Sequence, residues 1–173
     1  MTGTTIAAPV EMPHRRPPRL PAISYRGPQR IFVTMCTFQR ATVFADAQHV
    51  APVRDHLLRT ATAYDVEVLA YCFMPDHVHA LLAGRSDRAD AAACVAMFRQ
   101  RSGYQHRRRT SRRLWQEGYF DRVLRSEDQT RAVVSYIVGN PVRAGLCQRP
   151  GDYPFSGSSR YSLEDLIDTL ALA

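Results

Sequence analysis

The spacing of apolar positions divides this chain into strands and helices in a definite order. Arg30-Ile31-Phe32-Val33-Thr34-Met35-Cys36-Thr37-Phe38 is β-branched, aromatic and apolar on both faces, which predicts an inner strand. At Asp46 the spacing lengthens to that of a helix, continuing to about Ala63. Its apolar stripe is Val50, Val53, Leu57, Leu58 and Ala61, and Pro52 falls in the opening turns, where a missing N–H is tolerated. Val66 to Met74 is again a strand. Pro75-Asp76 then turns the chain straight into His77-Val78-His79-Ala80-Leu81-Leu82, which predicts an antiparallel hairpin.

An alanine-rich helix is expected from Asp87 to about Gly103, and Tyr119 to Arg125 alternates as a fourth strand. The last strong helix is expected from Ser126 to about Gly139. Ser126 and Gln129 have the spacing of a capping box, and Pro141 is expected to stop the helix. Leu163 to Leu172 is a short amphipathic segment.

Strand-helix-strand-strand-helix-strand is the order of a ferredoxin-like α+β fold, an antiparallel βαββαβ sheet. The third strand then lies centrally beside the first, both crossover helices cover one face, and the Ser126 helix remains to lie across the open one. Residues 1–27, with Pro9, Pro13, Pro17, Pro18, Pro21 and His14-Arg15-Arg16, are expected to form a disordered basic arm. Residues 28–156 make one domain, and 157–173 a tail carrying the short helix.

Composition adds a partner. The 173 residues carry a formal charge of +7, and all 23 basic residues are arginine, so an anionic partner is expected. A GC-rich genome accounts for arginine in place of lysine without removing its bidentate phosphate chemistry. Between Arg99 and Trp115 there are seven arginines and no acid. Arg99, Arg101, Arg107, Arg108, Arg109, Arg112 and Arg113 are therefore expected to line a DNA-backbone groove, with Trp115 and Tyr104 as stacking platforms. Cys36, Cys72, Cys94 and Cys147 form no CxxC pair, so they are expected to be small buried residues in a reducing compartment rather than a zinc site. No signal peptide is apparent, and the apolar run from Ala91 to Phe98 is too short to span a bilayer. A cytoplasmic, nucleoid-associated protein with no membrane partner is expected.

The candidate chemistry starts at the hairpin. Side chains in a strand alternate, so His77 and His79 share one face while Val78 points the other way. If Val78, Ala80 and Leu82 face the covering helices, both imidazoles face the open side. On the Ser126 helix, Val133, Val134 and Ile137 make the packing stripe. Tyr136 and Asn140, four residues apart, are neighbours on its flank. His77, His79 and Asn140 are accordingly the expected ligands of a divalent ion, Mg2+ or Mn2+, with Tyr136 beside them as nucleophile. Three neutral nitrogen and oxygen donors leave the ion's full charge to act on a phosphodiester. A phenol with a pKa of about 10 needs such a cation to become phenolate. Arg143, just past this pair, is expected near the scissile phosphate. Asp76 and Asp121 are expected to be turn and strand-end residues rather than ligands.

The His-Val-His within Phe73-Met74-Pro75-Asp76-His77-Val78-His79-Ala80-Leu81-Leu82 resembles the histidine–hydrophobic–histidine (HUH) motif of single-tyrosine transposases. Tyr136-Ile137-Val138-Gly139-Asn140-Pro141-Val142-Arg143-Ala144-Gly145-Leu146 is similar to the signature of REP-associated tyrosine transposases, and Trp115 to Arg125 resembles the block that precedes it. The likeness runs over roughly residues 28 to 156. It implies a metal-dependent transesterase on single-stranded or hairpin-forming repeat DNA, working through a 5′-phosphotyrosine and a free 3′ hydroxyl. It also matches Tyr136 to the family nucleophile, and His77, His79 and Asn140 to its ligands. A monomer using its own tyrosine and a homodimer exchanging the helix both fit. A catalytically inactive nucleic-acid-binding module on the same sheet would keep the arginines without needing Tyr136, His77 or His79. A metal hydrolase using water ranks last, because its usual carboxylate ligands are not apparent.

Overall fold

Strand β1 (Arg30–Cys36) lies between β3 (His77–Gly84) and β4 (Phe120–Leu124), with β2 (Val66–Met74) beyond β3. The computed structural model describes residues 25–171 and places all neighbouring strands antiparallel, in the order β4-β1-β3-β2-β5. The last of these, β5 (Ser156–Gly157), pairs with Tyr71 and Cys72 on the outer edge of β2. This is the ferredoxin-like arrangement expected, extended by one edge strand.

Two apolar layers sandwich the sheet. On one face, Val50, Val53 and Leu57 of helix α1 (Ala47–Ala63) and Cys94, Val95 and Phe98 of α2 (Ala91–Thr110) cover Ile31, Val33, Met35, Val78, Ala80 and Leu82. On the other, Val134, Ile137 and Val138 of α3 (Glu127–Arg143) and Leu166 of α4 (Leu163–Ala171) cover Phe32, Ala70, Cys72, Met74 and Leu81. A register shift between Val68 and Ala70 puts Leu69 and Ala70 in the same layer. That resets the alternation of β2 so that Cys72 and Met74 lie opposite His79 and His77.

The helices start where the polar residues allow. Asp46 Oδ1 accepts from Gln48 N–H at 2.9 Å and Asp90 Oδ1 from Ala93 N–H at 2.9 Å. Ser126 Oγ accepts from Gln129 N–H at 3.2 Å, and the Gln129 side chain reaches back to Arg125 N–H rather than to the cap's own N–H.

Two helix ends differ from expectation. Helix α2 runs seven residues past Gly103 to Thr110, because the arginines and glutamine that follow are good helix formers. It ends where Ser111 turns left-handed, at φ 59°. Helix α3 is not stopped by Pro141 but runs through it to Arg143. Its end is made by Gly145 at φ 69°, with Leu146 N–H on Pro141 O at 2.9 Å and Gly145 N–H on Val142 O at 3.0 Å, a Schellman termination. At the other end of the domain, Tyr25 is buried and Arg26 bridges Asp90, so folded structure begins before residue 28. The rest of the expected arm, residues 1–24, lies outside the described residues.

Candidate active site

The β1–β3 register sets Thr34 opposite His79 and Cys36 opposite His77, all on the α3 face. Both imidazoles are tied down through Nδ1. His79 Nδ1 is 2.8 Å from Thr34 Oγ1, and His77 Nδ1 is 2.7 Å from Asp76 Oδ1. The two Nε2 atoms face each other at 3.1 Å. An Nδ1–H on His77 donates to the carboxylate, which leaves its Nε2 lone pair free; Thr34 Oγ1 can accept from His79 in the same way.

Helix α3 lies across this face, as expected, and covers it closely. His79 is buried and its ring stacks on Phe32 at 5.5 Å, while the His77 side chain keeps 16% exposure. Burial lowers the pKa of both rings, His79's well below the usual histidine value, with the charges of His77 and Arg143 acting in the same direction. For His77, burial outweighs the opposing pull of the Asp76 carboxylate. Both rings are therefore neutral near neutral pH, the state a metal ligand requires.

Helix α3 brings the second half. The Tyr136 ring lies 5.2 Å from that of His79 at 70°, and 6.0 Å from that of Phe32, edge-on. Asn140 follows one turn later, half-buried, and Arg143 a turn after that, so the three form one i, i+4, i+7 stripe. The Arg143 guanidinium folds back over the Tyr136 ring, 4.7 Å from its centroid, and donates to the Tyr136 carbonyl. Because α3 continues through Pro141, Asn140 keeps helical register with Tyr136. Among the described residues no group of three or more His, Cys, Asp and Glu converges as a metal cluster.

The arginine-rich stretch divides. Trp115 is not a stacking platform: it is buried against Phe44 and Phe98, and its Nε1–H donates to Ser102 Oγ at 2.9 Å. An indole can enter a core once its one donor is satisfied. Arg99 is half-buried, donates to Gln116 O and lies over Tyr119. Arg113 donates to Trp115 O and packs on Phe38, and Arg109 reaches Gln48 O. Arg101, Arg107, Arg108 and Arg112 are exposed. Arg107, Arg108 and Arg109 are consecutive on a helix, so they fan out at about 100° per residue. Arg99, Gly103 and Arg107 do share one stripe, and with Arg113 and the largely exposed Tyr104 they line a shallow concavity. Cys36 O accepts from Gln116 N–H and Phe38 N–H donates to Leu114 O, so this concavity adjoins the His77 end of the sheet.

Asp76, Thr34 and Arg40 were not expected here. Asp76 lies in the turn between β2 and β3, as expected, and there it orients His77 and pairs with Arg40 at 2.8 Å. The sequence signal for Asp76 is its place directly before the histidine in a tight turn. Thr34 emerges only from the register. Cys72 and Cys94 are buried as expected, whereas Cys36 and Cys147 are only partly so. No helix among the described residues is long and apolar enough to cross a membrane.

Known proteins resemble this chain at each level. A Haemophilus influenzae protein described as a REP-associated tyrosine transposase is 24% identical over 123 residues, covering 65% of this chain and 70% of its own. The solved structure of a REP-associated tyrosine transposase bound to a REP hairpin superposes with a TM-score of 0.67 at 19% identity, over 84% of this chain and 82% of that one. That likeness shows the fold. The family model described as "Transposase IS200 like" matches residues 29–140, from the start of β1 to Asn140, and the chain belongs to that family.

Proposed function

We propose that this chain is a metal-dependent transesterase that cleaves and rejoins hairpin-forming, single-stranded repeat DNA, with Tyr136 as nucleophile. The observation that carries the reading is the imidazole pair: two Nε2 atoms 3.1 Å apart, each ring fixed from its Nδ1 side, with the Tyr136 ring against His79. Two nitrogens each about 2.1 Å from one ion and at right angles to it are about 3 Å apart, so the pair fits an ion without rearrangement. His77, His79 and the amide oxygen of Asn140 would hold Mg2+ or Mn2+. Such an ion, when bound, neutralises charge on the phosphodiester and favours the phenolate over the phenol.

The chain's own groups do the rest. The Tyr136 oxygen attacks the phosphorus, its O–P bond forms as the bond to the 3′ oxygen breaks, the phenolic proton is lost to solvent, and the departing 3′ oxygen takes up a proton from solvent. The products are a 5′-phosphotyrosine and a free 3′ hydroxyl. Phenolate is a good leaving group, so an incoming 3′ hydroxyl can reverse the step with no other energy source. Arg143, stacked over the Tyr136 ring, holds it in place and puts a positive charge beside the attacked phosphate. The tyrosine lies beside the histidines of its own chain, which supports use in cis by a monomer. The concavity around Arg107, Arg113 and Tyr104 is where DNA flanking the cleaved bond would run, giving a steep loss of affinity with salt. The hairpin ligand of the solved relative is consistent with this substrate class.

The test is covalent capture. A labelled REP-type hairpin incubated with the protein and Mn2+ should give a protein–DNA adduct that survives denaturing electrophoresis, and Tyr136→Phe should give none while still binding the hairpin. An adduct formed by Tyr136→Phe would remove the assignment. Binding without any adduct, in wild type and variant alike, would leave the inactive DNA-binding module.

A further inference from the structure

The turn after β1 is built in a conformation that side chains avoid. Gln39 and Arg40 have φ of 55° and 56°, two successive non-glycine residues in the left-handed region. The surrounding bonds over-determine it. Thr37 N–H donates to Asp76 O at 3.0 Å and Arg40 N–H to Thr37 O at 3.1 Å. The Thr37 hydroxyl lies 2.7 Å from Ala41 O and 2.9 Å from Asp76 O, and Phe44 N–H donates to Pro75 O at 2.9 Å. The turn is thus fastened to the Pro75-Asp76 hairpin that begins the histidine strand.

What the turn delivers is a guanidinium. Arg40 Nε is 2.8 Å from Asp76 Oδ2 and its Nη1 is 2.8 Å from Cys36 Sγ, while the other oxygen, Oδ1, takes His77 Nδ1. One carboxylate therefore bridges an arginine and an imidazole, with one oxygen for each. We propose that Arg40 is a positioning residue for the metal pair: by pinning Asp76 it fixes the tautomer and ring orientation of His77, so that Nε2 is presented toward His79. Outer partners of this kind commonly change metal affinity by about 10–100-fold. The inference rests on the reading of His77 and His79 as metal ligands. It differs from a phosphate-binding role, for which the half-exposed guanidinium still has free donors, and hairpin binding without metal separates the two.

The experiment is a calorimetric titration of the full-length protein with Mn2+, without DNA, alongside hairpin binding without metal. Wild type should bind Mn2+, and Arg40→Met and Asp76→Asn should each bind about 10-fold more weakly or worse. The double variant should be no weaker than Asp76→Asn alone, since Arg40 acts through Asp76. Arg40→Lys should fall between wild type and Arg40→Met. The Mn2+ concentration for half-maximal cleavage by Arg40→Met should rise by the same factor, with the rate recovered at saturating Mn2+.

Unchanged Mn2+ affinity in a folded Arg40→Met, or a double variant losing the product of both single losses, would overturn the proposal. So would weaker metal-free hairpin binding by Arg40→Met, which would make Arg40 a DNA contact. If Arg40→Met does not fold, Asp76→Asn and Arg40→Lys carry the same comparison. A wild type that takes up no Mn2+ would defeat the metal reading itself, and this inference with it. That outcome differs from one in which wild type and Arg40→Met bind equally.

Discussion

Along β3, Val78, Ala80 and Leu82 enter the layer under α1 and α2, where the neighbours are aliphatic and aromatic side chains such as Val33, Leu57 and Phe98. His77 and His79, from the same strand, enter the layer under α3, where aliphatic groups mix with Thr34, Cys72 and Tyr136. Both layers are packed, and His79 is nearly as buried as Leu82, while His77 keeps an edge to solvent. The difference lies in what the burial does. On one face it yields stability alone. On the other it also keeps two imidazoles neutral and aims them, because each has a hydrogen-bond partner on one nitrogen and the other left over.

Substitutions on the two faces should therefore separate activity from stability. Tyr136→Phe should lower cleavage by roughly 10⁴-fold or more, the scale on which removal of a covalent nucleophile acts, with an unchanged melting temperature. Leu82→Ala, on the other face, should cost about 2–5 kcal/mol in chemical denaturation while cleavage per folded molecule stays near wild type. Trp115→Ala belongs with it, at about 3–5 kcal/mol, because the indole fills the core; loss of DNA affinity without loss of stability would return Trp115 to the surface role expected from sequence.

Thr34→Val keeps the shape beside His79 but removes its Nδ1 partner, so Mn2+ affinity should fall by about 10-fold, with a stability loss of about 1–3 kcal/mol from the unpaired buried nitrogen. The smallest effect is in the pH dependence of the metal-free protein. The folded-state pKa values of His77 and His79 are lowered, so below about pH 6.5 the unfolded chain binds more protons than the folded one. Stability should then be flat above about pH 7.5 and decline below pH 6.5, by at most about 1.4 kcal/mol per pH unit for each histidine. His106, lowered chiefly by burial, adds to the same slope. Urea midpoints across this range check it, and His79→Ala should show the shallower decline.

The strands were legible because their chemistry is local. Val66–Met74 and the hairpin follow from β-branched and apolar runs bounded by a Pro-Asp turn, and the shared face of His77 and His79 follows from the pleat. The helix ends were not, because proline and glycine are weak stops when packing favours continuation. Gly103 is tolerated within α2, where even a Cβ would lie 3.4 Å from Trp115 Cδ1. Pro141 is buried within α3. The arginine count predicted a basic surface, but it could not show that Arg99 and Arg113 are engaged by backbone carbonyls or that Trp115 turns inward. Thr34 and Arg40 come from a strand and turn some forty residues before the histidines, so only the β1–β3 register brings them to the site.

Tyr136 and Asn140 ride on one uninterrupted rod, and this has a genetic consequence. In any assembly that trades α3 between copies, the phenol and the amide must travel as a pair. Mixed oligomers of Tyr136→Phe with Asn140→Ala chains could then never restore a complete centre by trade. Pairing Tyr136→Phe with His77→Ala would rescue one centre in each traded dimer, and none where every copy keeps its own helix.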